Sequence, residues 1–513
     1  MDYVIHNVVL GFSVAGTPIN LLLAFVGVFM GTIIGVLPGI GPMTGTALLI
    51  PLAFSLNMNP TSAIILMAGI YYGAMYGGST TSILVNTPGE SSSVVTCIDG
   101  NKMAKNGRAG PALAAAAIGS FIAGTFATIM LMFFGPLLAQ IALHFGPPEF
   151  FALMVAGLTV VTSLAGRSIV KALISTLFGL AIAMVGIDLQ SSVPRFTFGN
   201  VRFMDGIEFL VVAIGLFAIT EVFVNLIEMA KKEGKPDLIK IKGGLMLTKE
   251  DWKHFWPSCW RGTISGFFVG GVAGAGAAVA SFVSYGLEKK AGKRRHLLGT
   301  GIIEGVAGPE SANNAAAGGS LIHLLCLGIP GSGTTAIMLG ALIMLGLQPG
   351  PLLFTQQPQF VWGLIASMYI GNVMLLVLNL PLVGMWVKLL DIPQYLLTLF
   401  IVLFSFLGVY TANNAVEDLF IMIIFGLVGF GFKKADIPAA PVILGMVLGK
   451  MMEEKMRQSL VISDGSYAIF LTRPIALFFL LLAVVSITNP YWKYVPMFFR
   501  KLFGGGKGKA AAV

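Results

Sequence analysis

The stretch Gly31-Thr32-Ile33-Ile34-Gly35-Val36-Leu37-Pro38-Gly39-Ile40-Gly41 is apolar in the manner of a membrane helix, yet it breaks at Pro38-Gly39 and again at Pro42. Proline has no N–H to give the helix and its ring clashes with the preceding turn. At membrane depth, non-helical backbone survives only where it is buried in protein or lines a polar cavity. An interrupted membrane segment, with its break inside the protein, is therefore expected here.

The same pattern returns in the second half of the chain, over Gly262-Thr263-Ile264-Ser265-Gly266 through Val272-Ala273-Gly274-Ala275-Gly276. Further matches follow in the same order. Gly77-Gly78-Ser79 answers Gly318-Gly319-Ser320, Pro88-Gly89 answers Pro330-Gly331, and Gly110-Pro111-Ala112-Leu113 answers Gly350-Pro351-Leu352-Leu353. Charge then orients the copies, because Lys and Arg in short loops stay on the cytoplasmic side. Lys102, Lys105 and Arg108 in Asp99–Gly110 face an uncharged Gly340–Pro351, whereas Lys289, Lys290, Lys293, Arg294 and Arg295 answer an uncharged Pro51–Pro60. Equivalent loops on opposite sides make an inverted-topology repeat, a recurrent device of secondary transporters. Basic stretches on both flanks of Gly262–Leu287 leave it as a re-entrant hairpin with its tip in the protein.

Composition agrees with this picture. Of 513 residues, 56% are hydrophobic and 11% are charged, against roughly 25% charged in a soluble domain. Runs such as Leu173–Val185 and Ile475–Val485 are continuously apolar, whereas barrel strands alternate. The expected fold is thus an all-α polytopic membrane protein, one integral membrane domain over residues 1–513, with an inverted repeat of paired re-entrant or broken helices. Repeat one covers 20–140 and repeat two 262–390; connecting helices run over 148–230, a cytoplasmic loop over 231–256, C-terminal helices over 393–490 and a basic tail over 491–513. Met368–Val387 reads as one span, and Pro441–Gly449 as an interruption.

Several functions are excluded at this stage. Lys231–His254, the longest polar stretch, is too short for a nucleotide-binding domain, and the net charge of +9 sits in short loops, which marks membrane orientation and not nucleic-acid binding. Cys97, Cys259 and Cys326 lack paired or metal-ligand spacing and are expected as free thiols. Gly445–Met451 falls one residue short of a phosphate loop and has Met where Mg²⁺ needs a hydroxyl. With no nucleophile–base pair and no metal cluster in the sequence, no enzyme and no organic cofactor is expected.

A polar, broken sequence inside apolar surroundings, at Gly77–Ser82 and Asn86–Ser93 in copy one and at Pro309–Asn314 and Gly328–Thr335 in copy two, supplies the candidates for function. In copy one they are Ser79, Thr80, Asn86, Thr87, Pro88 and Gly89, with Gly39 and Gly41 at the first break; in copy two, Glu310, Asn313, Asn314, Pro330, Gly331, Ser332, Thr334 and Thr335, with Gly274 and Gly276. Helix starts bared by Pro-Gly offer amides and a dipole to anions, while carbonyls and side-chain oxygens suit Na⁺. Na⁺ is expected near the Pro88-Gly89 and Pro330-Gly331 tips. Close helix packing explains Ser79–Ser82 as readily as a site does. Glu90 fits either a site or a solvated loop edge, and Glu310 either a site or a helix-start carboxylate.

Gly35–Gly41, Gly73-Ala-Met-Tyr-Gly-Gly-Ser79, Ser82-Ile-Leu-Val-Asn-Thr-Pro-Gly-Glu90, Pro309–Asn314 and Leu327-Gly-Ile-Pro-Gly-Ser332 together resemble the large membrane subunit of tripartite tricarboxylate transporters. Gly186-Ile-Asp188, Arg195–Gly199, Gly215–Glu221 and Pro438–Pro441 extend the resemblance over nearly the whole chain, and Val272-Ala273-Gly274 departs from the Leu-Pro-Gly usual there. The resemblance implies a secondary transporter of the bacterial inner membrane, importing di- or tricarboxylates on a Na⁺ or H⁺ gradient. Its partners would be a small membrane subunit, a periplasmic solute-binding protein and the lipid bilayer. The N-terminus, whose face lacks Lys and Arg, is expected in the periplasm and the basic C-terminus in the cytoplasm. A passive anion channel is the alternative.

Overall fold

The computed structural model describes residues 2–37, 40–56, 58–164, 168–188, 191–231, 239, 241, 244–271, 276–390 and 392–492. Gly39 and Gly274 of the sequence-assigned set lie outside the described residues. Helix dominates, and among the described residues the one strand pair is Gly186–Ile187 with Pro194–Arg195. Pro18–Val36, Ser91–Ala142, Phe209–Ala230 and Pro358–Asn379 are each long and apolar enough to cross a membrane. Large apolar side chains such as Phe133, Leu137, Leu399, Phe400 and Leu403 are exposed, whereas Ser79, Thr80, Thr81, Glu310 and Asn313 are buried. Polar groups inside and apolar groups outside are what a hydrocarbon solvent selects. The chain is an all-α polytopic membrane protein.

Ten helices make up the two stretches that the sequence reads as copies: α1 (Pro18–Val36), α2 (Gly41–Ser55), α3 (Pro60–Leu84), α4 (Val94–Met103) and α5 (Ala109–Ala142), then α6 (Lys249–Gly270), α7 (Gly276–Ala291), α8 (Glu304–Leu327), α9 (Gly333–Met344) and α10 (Pro358–Asn379). Their starts are written in the sequence. Asn59 accepts a hydrogen bond from the Ser62 amide at 2.8 Å ahead of Pro60, and Thr248 and Asp251 cap α6 reciprocally. Gly328, at φ +69°, ends α8 in the left-handed region that glycine enters without strain.

Small residues every fourth position hold each pair of long helices together. A Cβ on Gly27, Gly31 or Gly35 of α1 would lie 2.5, 2.4 or 2.3 Å from the carbonyl oxygens of Leu66, Ile70 and Ala74 on α3. On α6, Gly262, Gly266 and Gly270 meet Gly308, Ala312 and Ala316 of α8 in the same way, with closest approaches of 2.1, 2.3 and 2.3 Å. Only glycine admits such contact between backbones. The recurrence also resets the alignment. Gly31 corresponds in packing to Gly266 and not to Gly262, one helical turn from the match made on sequence, and Gly78 corresponds to Ser320 because Gly89 packs on the one as Gly331 does on the other. Identical Gly-Thr-Ile triplets set the sequence match, but the contact surface sets the register.

Three further expectations change. The Pro309 region is not broken: α8 runs through Pro309 as one helix from Glu304 to Leu327, and a helix packed among others at membrane depth absorbs a single proline. Pro441–Gly449 is not interrupted, since Pro441 lies in the first turn of a continuous helix, Ala440–Ile462. Met368–Val387 is two helices, α10 and Val383–Leu389, parted at Pro381.

Helix α8 of copy two sits among the helices of copy one. Asn314 Nδ2 donates to Ser120 Oγ of α5 at 2.7 Å, and Thr96 of α4 donates to Glu310. Asp99 of α4 accepts from the amides of Gly299, Gly301 and Ile302 at 2.8–3.2 Å and from the Tyr285 hydroxyl at 2.9 Å, tying α4 to the approach to α8. Outside the copies, Ile169–Ala183 packs on Ala440–Ile462, and Phe209–Ala230 on Val416–Lys434.

Candidate functional site

Each copy places a helix start after its Pro-Gly pair. In copy one Glu90 precedes a 3₁₀ turn, Ser91–Ser93, that continues as α4; in copy two Ser332 precedes α9. Both are N-caps of reciprocal capping boxes, Glu90 with Ser93 and Ser332 with Thr335. The Ser332 amide donates to Thr335 Oγ1 at 2.8 Å and the Glu90 amide to Ser93 Oγ at 3.3 Å. Just before them, Gly89 and Gly331 lie against α3 and α8: an added Cβ would sit 2.6 Å from the Gly78 Cα in one copy and 2.7 Å from the Ser320 Cα in the other. The first breaks agree as well, with Gly41 at φ +66° opening α2 and Gly276 at φ +62° opening α7.

All four starts meet on one cavity of about 800 Å³. Gly41, Pro88, Gly89, Gly276, Ser332 and Thr334 of the sequence-assigned residues line it, together with Glu90, Ser92 and Tyr71. Tyr71 Oη and Ser332 Oγ are 3.3 Å apart across its floor. The far wall comes from outside the copies: Leu216, Phe217, Thr220 and Glu221, at a π turn over Gly215–Ile219, and Gly429 and Lys433 from Val416–Lys434. Such π turns recur at functional sites. Lys433 Nζ lies 3.1 Å from Glu221 Oε2 and is the one basic residue among those lining the cavity.

The remaining assigned residues lie elsewhere. Ser79 and Thr80 are buried within unbroken α3, and Thr335 is buried as the capping partner of Ser332. Pro330 and Gly331 are buried beneath the tip, and Thr87 is not among the cavity-lining residues. Asn86 lines a separate groove of about 280 Å³ with Cys97, Asn101, Lys102 and Lys105.

Behind the tip of copy one is a buried polar cluster. Ser79 Oγ donates to Glu310 Oε2 at 2.6 Å and Thr96 Oγ1 to Glu310 Oε1; Asn313 Nδ2 donates to Glu90 Oε1 at 2.9 Å, as does Ser92 Oγ. Glu310 is no helix-start carboxylate, because α8 opens at Glu304 and it is Glu304 that occupies the first turn. Nor does Glu90 stand at a solvated loop edge: it is 8% exposed.

Tyr71, Thr220, Glu221 and Lys433 were not assigned to the site from the sequence, although Thr220 and Glu221 close the Gly215–Glu221 motif. Glu221 and Lys433 are far apart in the chain, and a lysine ending an apolar helix reads as an orientation mark, so only their 3.1 Å pairing reveals the shared wall. A second cavity, about 410 Å³, is lined by Asp188, Arg195, Glu453 and Arg457. There the carboxylates are paired, with Arg457 Nη2 2.7 Å from Asp188 and Arg195 Nη1 2.8 Å from Glu453, and the Arg195 hydrogen bond holds the Glu453 carboxyl below the usual range.

Residues 21–444 match the model of the tripartite tricarboxylate transporter TctA family. An Agrobacterium vitis protein, described as an uncharacterized 52.8 kDa protein in the TAR-I ttuC' 3' region, is 48% identical over 472 residues, covering 92% of this chain and 93% of that protein. A second from the same organism, an uncharacterized protein in the TAR-II ttuC' 3' region, is 46% identical over 222 residues, 43% of this chain and 92% of its own length. No solved structure matches the chain. The match across most of the chain and the nearly full-length relative agree with the motifs around both Pro-Gly tips, and the chain belongs to the tripartite tricarboxylate transporter TctA family, a family of transporter large subunits and not of enzymes.

Proposed function

We propose that the chain is the membrane-embedded large subunit of a secondary active transporter that imports di- or tricarboxylates across the bacterial inner membrane. A Na⁺ or H⁺ gradient drives it, a periplasmic solute-binding protein delivers the substrate, and a small membrane subunit completes the complex. The observation that carries this reading is the convergence of four broken-segment starts, at Gly41, Glu90, Gly276 and Ser332, on one cavity. Helix starts present amides and the positive end of the dipole. The start of α9, capped by neutral Ser332, with Lys433 opposite, suits a carboxylate. The recurring glycine register supports two copies of one unit, and the opposite charge of their equivalent loops supports inverted topology. Exposure then alternates as this unit moves against the wall made by Phe209–Ala230 and Val416–Lys434.

The test is reconstitution of the chain with its small subunit and binding protein into liposomes, with Na⁺ and proton gradients imposed separately. Accumulation of a labelled dicarboxylate or tricarboxylate above the outside concentration, abolished when the gradient is collapsed, is the expected result. Equilibration without accumulation under either gradient would instead establish a passive pore.

A further inference from the structure

Glu90 and Glu310 share one buried site in which every hydrogen-bond donor is neutral. Glu310 takes the hydroxyls of Ser79 and Thr96, and Glu90 takes the Ser92 hydroxyl and the Asn313 amide. Among the described residues neither carboxylate belongs to an ion pair. Hydroxyls and amides orient a carboxylate but do not cancel its charge. Two ionised carboxylates in one buried cluster, Glu310 on α8 and Glu90 joined to α8 through Asn313, are costly enough that one binds a proton or a cation settles with them.

A second feature points to what settles there. Asn313 is fully buried, its Nδ2 donates to Glu90, and its Oδ1 has no hydrogen-bond donor. Three residues apart on α8, Glu310 and Asn313 share a helix face, so this bare oxygen belongs to the amide that spans the two carboxylates. A buried acceptor without a donor costs about 1–3 kcal/mol. Carboxylate, amide and hydroxyl oxygens, with no sulfur or imidazole, are the ligands of hard cations. A proton meets the same need, since a protonated carboxyl becomes a donor to Asn313 Oδ1.

We propose that Glu90, Asn313 and Glu310, with the hydroxyls of Ser79, Ser92 and Thr96, form the coupling-cation site, which takes one monovalent cation, Na⁺ or a proton. This rests on the transport reading above. Glu90 and Ser92 also line the substrate cavity, so the cation enters and leaves through the wall that the substrate touches. Glu90 and Ser92 are the shared residues through which occupancy of one site reports on the other. The other titratable groups facing the pair are Tyr71 on α3 and Cys97 on α4.

The test uses the purified full chain, with thermal unfolding followed against Na⁺ at constant ionic strength in K⁺ and mildly alkaline pH, and separately against pH without Na⁺. The wild type is expected to gain Tm saturably with Na⁺, or with acid alone if the cation is a proton. Glu310→Gln should weaken that response by about tenfold or more. Should Glu310→Gln fold poorly, Ser79→Ala, which removes one hydroxyl, should weaken it several-fold. A wild type that answers to neither cation, or a folded variant with unchanged midpoint, overturns the site. In liposomes, a wild type that accumulates no carboxylate fails the transport reading, whereas accumulation with equal gradient dependence in wild type and Glu310→Gln fails the cation site alone.

Discussion

The helix starts at Glu90 and Ser332 do the same work with backbone and differ by one charge. Each caps its helix through the residue three positions on, each follows a glycine pressed against a long helix, and each lines the same cavity. A carboxylate at the copy-one start satisfies the dipole from within the protein, whereas the Ser332 hydroxyl leaves the α9 dipole free for an outside anion. On the proposed reading, duplication would supply the pair of tips, and a single divergent side chain would let one tip serve a cation and the other a carboxylate.

The largest effects should come from breaking the backbone contact that the tips share. A Cβ on Gly89 would lie 2.0 Å from the Gly35 carbonyl oxygen, closer than any contact awaiting one on Gly331, which is 2.7 Å from the Ser320 Cα. Backbone cannot rotate away as a side chain can. Gly89→Ala should cost about 3 kcal/mol or more and Gly331→Ala somewhat less, read as Tm and as recovery of monodisperse protein. Equal tolerance of both would mean that the tips are not held by this contact.

Next in size is the effect of Ser332→Ala. Loss of the cap costs about 1 kcal/mol, and the substrate loses a hydroxyl at the start of α9. The KM for carboxylate uptake should rise by about five- to tenfold, or roughly 1–1.4 kcal/mol, with assembly retained. Lys433→Ala follows. Half-exposed and paired with Glu221, Lys433 contributes under about 1 kcal/mol to stability. Its removal should raise KM several-fold at low ionic strength and little at high salt. A KM that ignores salt in the wild type would remove Lys433 from the substrate's surroundings.

The fold was readable because a bilayer leaves few choices: long apolar runs must be helices, and Pro88-Gly89 and Pro330-Gly331 mark where two of them stop. Convergence was half readable. Gly41, Gly89, Gly276 and Ser332 do line one cavity, since two copies of one break can share a site only by meeting. Pro309 misled because a membrane helix packed among others can run through a single proline, and the alignment slipped by a turn because the Gly-Thr-Ile triplets match where the packing does not. Lys433 and Glu221 were out of reach, being a long-range pair on helices outside the repeat.

Asn86 gives the smallest effect and the sharpest control. Its neighbours Pro88 and Gly89 reach the cavity, which made it a candidate by proximity, but its own side chain faces the groove of Lys102 and Lys105. It also holds φ +57°, a left-handed conformation that Asn adopts more readily than other non-glycine residues. Asn86→Ala should therefore cost about 1 kcal/mol of stability by strain, leave KM within twofold of wild type, and be relieved by Asn86→Gly, which suits the same φ. Tm and uptake measured on one preparation separate the two roles. If Asn86→Ala raised KM as Ser332→Ala does, the copy-one tip would be binding substrate on its outer face, and the division of labour between a cation tip and an anion tip would have to be given up.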